Sequence, residues 1–269
     1  MISERASRPA FPSVAALLFA ASTAVTVGWC ASMSAMGEMK MPGGWMLSML
    51  WMRMPGQTWA GAAASFLGMW VAMMPAMMLP SLVPMLRRYR CAVAVTCAVA
   101  MTDEGRIARL TALVSLGYFF IWAVLGMAVF AVGAALAGLA VKLPVLARAV
   151  PMAAGLIVLI AGALQFTSWK AHQLACCRMS PLRGCVFPAD VGVAWRHGLR
   201  LGLRCSCCCA GLTATLLVVG VMNLGAMALV TAAITVERLA PAGERAARAI
   251  GAVVIGTGLF LIARALWLE

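Results

Sequence analysis

Acidic residues are what this 269-residue chain lacks most: it has eight Asp and Glu against 21 Lys and Arg, and only 11% of its residues are charged. So few carboxylates exclude an oxygen cage for a hard cation and a carboxylate proton relay. On the basic side of the chain, only Glu237 and Asp190 lie away from evident loops and termini, and both positions suit solvated side chains. The sequence has no Walker loop, dinucleotide glycine fingerprint, His-Glu-x-x-His pair or Gly-x-Ser-x-Gly elbow, so no enzyme is expected. Nor is there a soluble domain, a linker or a low-complexity tail.

Apolar length is abundant instead. Hydrophobic residues make up 64% of the chain and mean hydropathy is +0.98, beyond what a soluble core of this size needs. The composition predicts an all-α, polytopic transmembrane helix bundle forming one integral membrane domain over residues 1–269. A crossing needs about 20 apolar residues. Crossings are read at about Phe11–Cys30, Thr58–Leu86 (halted by Arg87, Arg88 and Arg90), Leu110–Val141, Val145–Trp169 and Ala249–Trp267. The first is read as an anchor, although Arg5 and Arg8 before it also fit a cleaved leader. Residues 170–204 are too charged to span and are read as a basic inner loop containing Cys and His.

The 33-residue stretch Cys205–Glu237 is long for one helix and short for two. Charge decides between them, because Lys and Arg of short loops stay on the cytoplasmic side. A hairpin turning near Gly220–Asn223 keeps Arg238, Arg245 and Arg248 inside, with 16 of the 21 basic residues there and Lys40, Arg53, Lys142, Arg148 and Arg264 outside. That gives about seven crossings, or six if Cys205–Glu237 is one helix or the first segment is cleaved. The N-terminus is then cytoplasmic and the C-terminus outside, in a bacterial inner membrane. The net charge of +13 follows from this arrangement, and no nucleic-acid partner is expected.

Sulfur is the second surplus. Eight methionines fall between Met33 and Met54, in an outer loop at residues 31–57, and six more between Met69 and Met85. Thioethers are soft, uncharged donors that suit Cu(I) or Ag(I) better than hard cations. They are also flexible fillers of helix interfaces, and both readings stand. In the loop, Trp45, Trp51 and Trp59 suit anchors at the membrane surface. In the second crossing Met69, Met73 and Met77 repeat every fourth residue beside a row of Met74 and Met78, placing sulfurs about 6 Å apart along one face. Pro75, Pro80 and Pro84 interrupt that helix and free backbone carbonyls.

Nine of the ten cysteines lie on or near the inner side, where thiols stay reduced and metal or redox chemistry is favoured over structural disulfides. On a helix Cys205, Cys208 and Cys209 share a face, and Arg200 and Arg204 nearby would favour thiolate. His172, Cys176 and Cys177 make a second candidate cluster, with Cys185 beyond it. Cys30, Cys91 and Cys97 read as small apolar residues. Gln165 and Asn223 read as polar residues bonded to neighbouring backbone.

The run Met69-Trp70-Val71-Ala72-Met73-Met74-Pro75-Ala76-Met77-Met78-Leu79-Pro80-Ser81, with Pro84-Met85, resembles the signature helix of a bacterial family of predicted metal-binding integral membrane proteins, sometimes named copper chaperones. Lys170 to Arg178 with Ser180-Pro181 is similar to that family's inner-loop pattern. Cys208-Cys209 followed by Gly220-Val221-Met222-Asn223-Leu224 is similar to its third motif. The resemblance covers roughly Trp59 to Leu261; Ala210 stands where the family often has Trp, and Cys205 and Cys207 are extra thiols.

The sidedness of the sulfur donors, together with the resemblance, implies a soft-metal handling protein. Its ligands would be Met69, Met73, Met74, Met77, Met78, Cys205, Cys208, Cys209, Cys176, Cys177 and His172. Its cargo would be Cu(I), and its partners the bilayer and a copper chaperone or another membrane protein. Two alternatives remain: a structural or assembly subunit of a membrane complex, and a transmembrane thiol redox carrier using Cys205-x-x-Cys208.

Overall fold

The computed structural model describes residues 10–34, 38–41, 45–48, 51–53, 56–99, 104–178 and 189–267. Met36, Met49, Met54, Ser180, Pro181 and Cys185, with the side chains of Met39 and Cys97, lie outside the described residues. Among the described residues, eight helices carry the fold. They are α1 (Ala10–Ser34), α2 (Trp59–Val99), α3 (Glu104–Lys142), α4 (Pro144–Leu164), α5 (Ser168–Arg178), α6 (Val191–Val219), α7 (Leu224–Leu239) and α8 (Gly243–Trp267). All but α5 and α7 are long and apolar enough to cross a membrane, giving six such helices. Their outward faces carry large apolar side chains such as Leu17, Leu116, Val145, Val253 and Phe260, more than half exposed and so placed for lipid. The chain is a polytopic helical bundle.

The hairpin expected within Cys205–Glu237 is present. α6 ends at Gly220, whose φ of +118° is a left-handed conformation that glycine alone adopts freely. Asn223 then caps α7, its side-chain oxygen accepting from Ala226 N at 3.0 Å. With 16 residues α7 is about 24 Å long, short of a full hydrocarbon thickness.

Three expected boundaries move. α2 continues past Arg87, Arg88 and Arg90 to Val99, because arginine ends an apolar span without opposing helix. Arg90 turns back to pair with Glu104 at 3.8 Å and to stack over the Phe11 ring. α4 stops at Leu164, and Trp169 belongs to α5. Residues 170–204, expected as a loop, include most of α5 and the first half of α6. Arg196, Arg200 and Arg204, one turn apart, occupy the exposed face of α6, while Ala194, Gly198 and Gly202 are buried. The charge count concealed this amphipathic pattern.

The Met-rich loop also departs from a surface-lying segment. Glu38–Lys40 (β1) and Met46–Ser48 (β2) pair antiparallel, with Met39 opposite Leu47. Trp45 and Trp51 dock into protein rather than lipid. Trp45 Nε1 donates to Ala147 O at 2.8 Å, and the Trp51 ring packs 5.4 Å from Phe66. Trp59 remains exposed, with Arg53 over its ring.

Two close helix pairs set the rest. α3 and α6 run parallel, so tightly that a Cβ on Gly198 would lie 2.3 Å from Val114 O and one on Gly202 2.8 Å from Tyr118 O. α4 and α8 run antiparallel with glycines spaced by seven on each: Gly155 meets Gly258, and Gly162 meets Gly251. Such small-residue contacts let backbones approach where lipid supplies no hydrophobic drive. α2 packs between α1, α3 and α7. Phe66, Trp70, Met73, Met74, Met78 and Leu82 make up much of its buried face.

Candidate soft-metal site

α2 inserts its methionines into the centre of the bundle. Met69, Met73, Met74, Met77 and Met78 are each at most 3% exposed. Pro75, Pro80 and Pro84 are accommodated without breaking the helix, and Ser81 Oγ donates to the Met78 carbonyl at 3.1 Å. One further turn of α2 brings Met85 to the same end of the bundle as the cysteines of α6.

There four helices meet. Cys205 Sγ accepts from Tyr118 Oη of α3 at 2.9 Å and from an Arg238 guanidinium nitrogen of α7 at 3.1 Å, and lies 3.9 Å from Cys209 Sγ. The same arm of Arg238 donates to Ser81 Oγ at 2.9 Å, and its other terminal nitrogen to Met85 Sδ at 3.2 Å. Cys205, Cys208, Cys209 and Arg238 are all buried. The guanidinium close to Cys205 is thus that of Arg238. Arg200 and Arg204, expected to act on these thiols, sit on the exposed side of α6.

Beside this lies a buried ion pair. Lys170 Nζ, on α5, donates to Glu237 Oε2 and to the Cys208 carbonyl, both at 2.7 Å, and Gln165 Nε2 donates to Glu237 Oε1 at 3.1 Å. Glu237 is not solvated, and Gln165 bonds a carboxylate rather than backbone. Cys177 closes the group from α5: it is buried and donates to Arg204 O at 3.4 Å. Its hydrogen bond with Cys208 and its burial push the Cys177 thiol up, so it stays protonated at neutral pH.

The second expected cluster therefore divides. Cys176 Sγ stays with His172 Nε2 at 3.5 Å toward the surface, while Cys177, one residue on, turns into the core. The Cys205-x-x-Cys208 pair also rearranges, since the sulfur beside Cys205 is that of Cys209. Cys207 is only partly buried, and Cys91 is exposed. At the opposite end of the bundle Cys30 is buried and donates to Met222 Sδ at 3.7 Å across α1 and the α6–α7 turn, rather than filling space alone.

Among the described residues no three His, Cys, Asp or Glu side chains converge closely enough to hold an ion. The arrangement is a thiol pair with one thioether, Met85, on the far side of the Arg238 guanidinium. Donors of that softness and low number suit a univalent thiophilic ion and lack the four-ligand set of structural zinc. Sequence reasoning missed Met85, Tyr118, Lys170 and Arg238 as members. For Lys170 and Arg238 the available signal was charge at the ends of apolar runs, since ionisable residues there are functional candidates by default.

Fold and site together define a polytopic membrane protein with a sulfur-lined core. The chain belongs to the PpoB2 family, described as copper chaperone, whose sequence pattern matches residues 67–261. No curated protein and no solved structure matches the chain.

Proposed function

We propose that this protein is a non-enzymatic carrier of Cu(I) in the bacterial inner membrane, moving the ion between thioether and thiol ligands. The observation that carries this reading is the sulfur sequence along one core. It begins with Cys30 and Met222 at one end, continues through the buried methionines of α2, and ends at Met85, Cys205 and Cys209. The family description supports copper as the cargo. With the expected orientation, Cys30 and most of the thioethers lie toward the outer side, and the thiol pair Cys205 and Cys209 toward the cytoplasm. Thiolate holds Cu(I) more tightly than thioether, so a gradient of affinity gives direction without an energy source.

The test is elemental analysis of protein purified anaerobically after copper loading. The wild type is expected to retain about one Cu(I) per chain, the amount one thiol pair accommodates. The Cys205→Ser/Cys209→Ser variant should lose it, and replacement of Met73, Met74, Met77 and Met78 by Leu should slow loading while sparing the fold. Retention of no copper by wild type, with a fixed membrane partner co-purifying, would instead identify an assembly subunit.

A further inference from the structure

Arg238 is hard to explain as a structural arginine. A guanidinium is charged at every accessible pH, and burying one is tolerated when a carboxylate faces it. The nearest candidate, Glu237, turns away to Lys170 and Gln165. Arg238 is 4% exposed, and its two terminal nitrogens are spent on a hydroxyl and two sulfurs: Ser81 Oγ, Cys205 Sγ and Met85 Sδ. A planar cation with sulfur at 3.1 Å on one arm and 3.2 Å on the other occupies the space between a thiol and a thioether contributed by different helices. Tyr118 Oη and Cys209 Sγ complete the surroundings of the Cys205 sulfur.

We propose that the guanidinium of Arg238 is the resident counter-cation of a soft-metal site built from Cys205, Cys209 and Met85, and that a univalent thiophilic ion enters by displacing it. The proposal rests on the copper reading and deepens it by naming ligands and a gate. Copper stays Cu(I) throughout. The guanidinium's hydrogen bonds to Ser81, Cys205 and Met85 break. Bonds form from the ion to Cys205 Sγ, Cys209 Sγ and Met85 Sδ, and each thiol that enters as S–H releases one proton to water. One univalent cation replaces another, and each proton released lowers the charge of the buried cluster by one. Two thiols and one thioether suit the low coordination number of Cu(I) and fall short of the four-ligand set of Zn(II), which selects against Zn(II) even though thiolates bind it well. Arg238 lies one residue before the end of α7, so its long side chain can swing to the membrane surface without disturbing the helix.

The experiment is anaerobic Cu(I) titration of the full-length protein in detergent against a competing bicinchoninate chelator, with X-ray absorption to count sulfur neighbours. Arg238→Gln removes the competing cation and is expected to tighten Cu(I) binding roughly tenfold. Met85→Leu, close in volume, is expected to weaken binding by a similar factor and to remove one sulfur neighbour. Zn(II) at equal concentration should leave the wild-type Cu(I) titration unchanged. Arg238→Lys guards against a folding failure in Arg238→Gln: it keeps a buried cation that cannot bridge both sulfurs, and should fall between wild type and Arg238→Gln. If Cu(I) binding depends on Cys205 and Cys209 yet neither Arg238 variant alters affinity and Met85→Leu leaves the sulfur count intact, the exchange site is wrong while the copper reading survives. If wild type takes up no Cu(I), the copper reading itself fails.

Discussion

Glu237 and Arg238 are adjacent on one helix yet serve separate partners, and that division explains how three charges stay buried together. Lys170 and Glu237 satisfy one another at 2.7 Å with Gln165 and the Cys208 carbonyl as additional partners, leaving Arg238 to sulfur and hydroxyl. Removing one member of a buried pair strands the other, at a cost of about 3–5 kcal/mol, whereas removing both is often close to neutral. Glu237→Ala should therefore lower the melting temperature in detergent substantially, and Glu237→Leu/Lys170→Met should recover most of the loss. Equal destabilisation by the single and double variants would show that the two side chains act independently.

At the scale of helices, glycine and sulfur divide the labour. α4 and α8 approach through Gly155, Gly162, Gly251 and Gly258, and a Cβ at Gly162 would lie 2.8 Å from Ile255 N. Gly162→Leu is expected to cost about 1–3 kcal/mol of stability, as overpacking does. Gly256→Leu, where an added Cβ meets nothing within 4 Å, should melt like wild type. Comparable losses in both would argue against this packing. The seven-residue glycine spacing was visible in the sequence, but which helices it joined was not. The methionine rows of α2 and the turn at Gly220–Asn223 were legible because period and charge are local properties. The company of Cys205 was not, because Arg238 and Tyr118 reach it from two other helices, with Met85 of a third held on Arg238, and helical periodicity does not encode which helices are neighbours. The first half of α6 was misread for a different reason: its charge total masked a four-residue repeat of arginine on one face.

For the whole molecule, the direction of the proposed transfer rests on which end of the sulfur core faces the cytoplasm. Leu143, in the short turn between α3 and α4, is about half exposed, and Cys91 is exposed on α2 at the opposite end. A membrane-impermeant maleimide should label a Leu143→Cys variant in intact cells and Cys91 only in inside-out vesicles. The reverse pattern would invert the proposed flow from thioether to thiol.

The α2 face toward the bundle leaves little open space: Trp70, Met73, Met78, Leu82, Tyr89 and Val93 are each at most 1% exposed. A core filled in this way, with side chains rather than water, is an electrical insulator. On the proposed function, an ion crossing it would not flow as current does through a pore. It would advance by bond exchange, each sulfur yielding it as the next takes hold, and the throughput would be set by how quickly those bonds break.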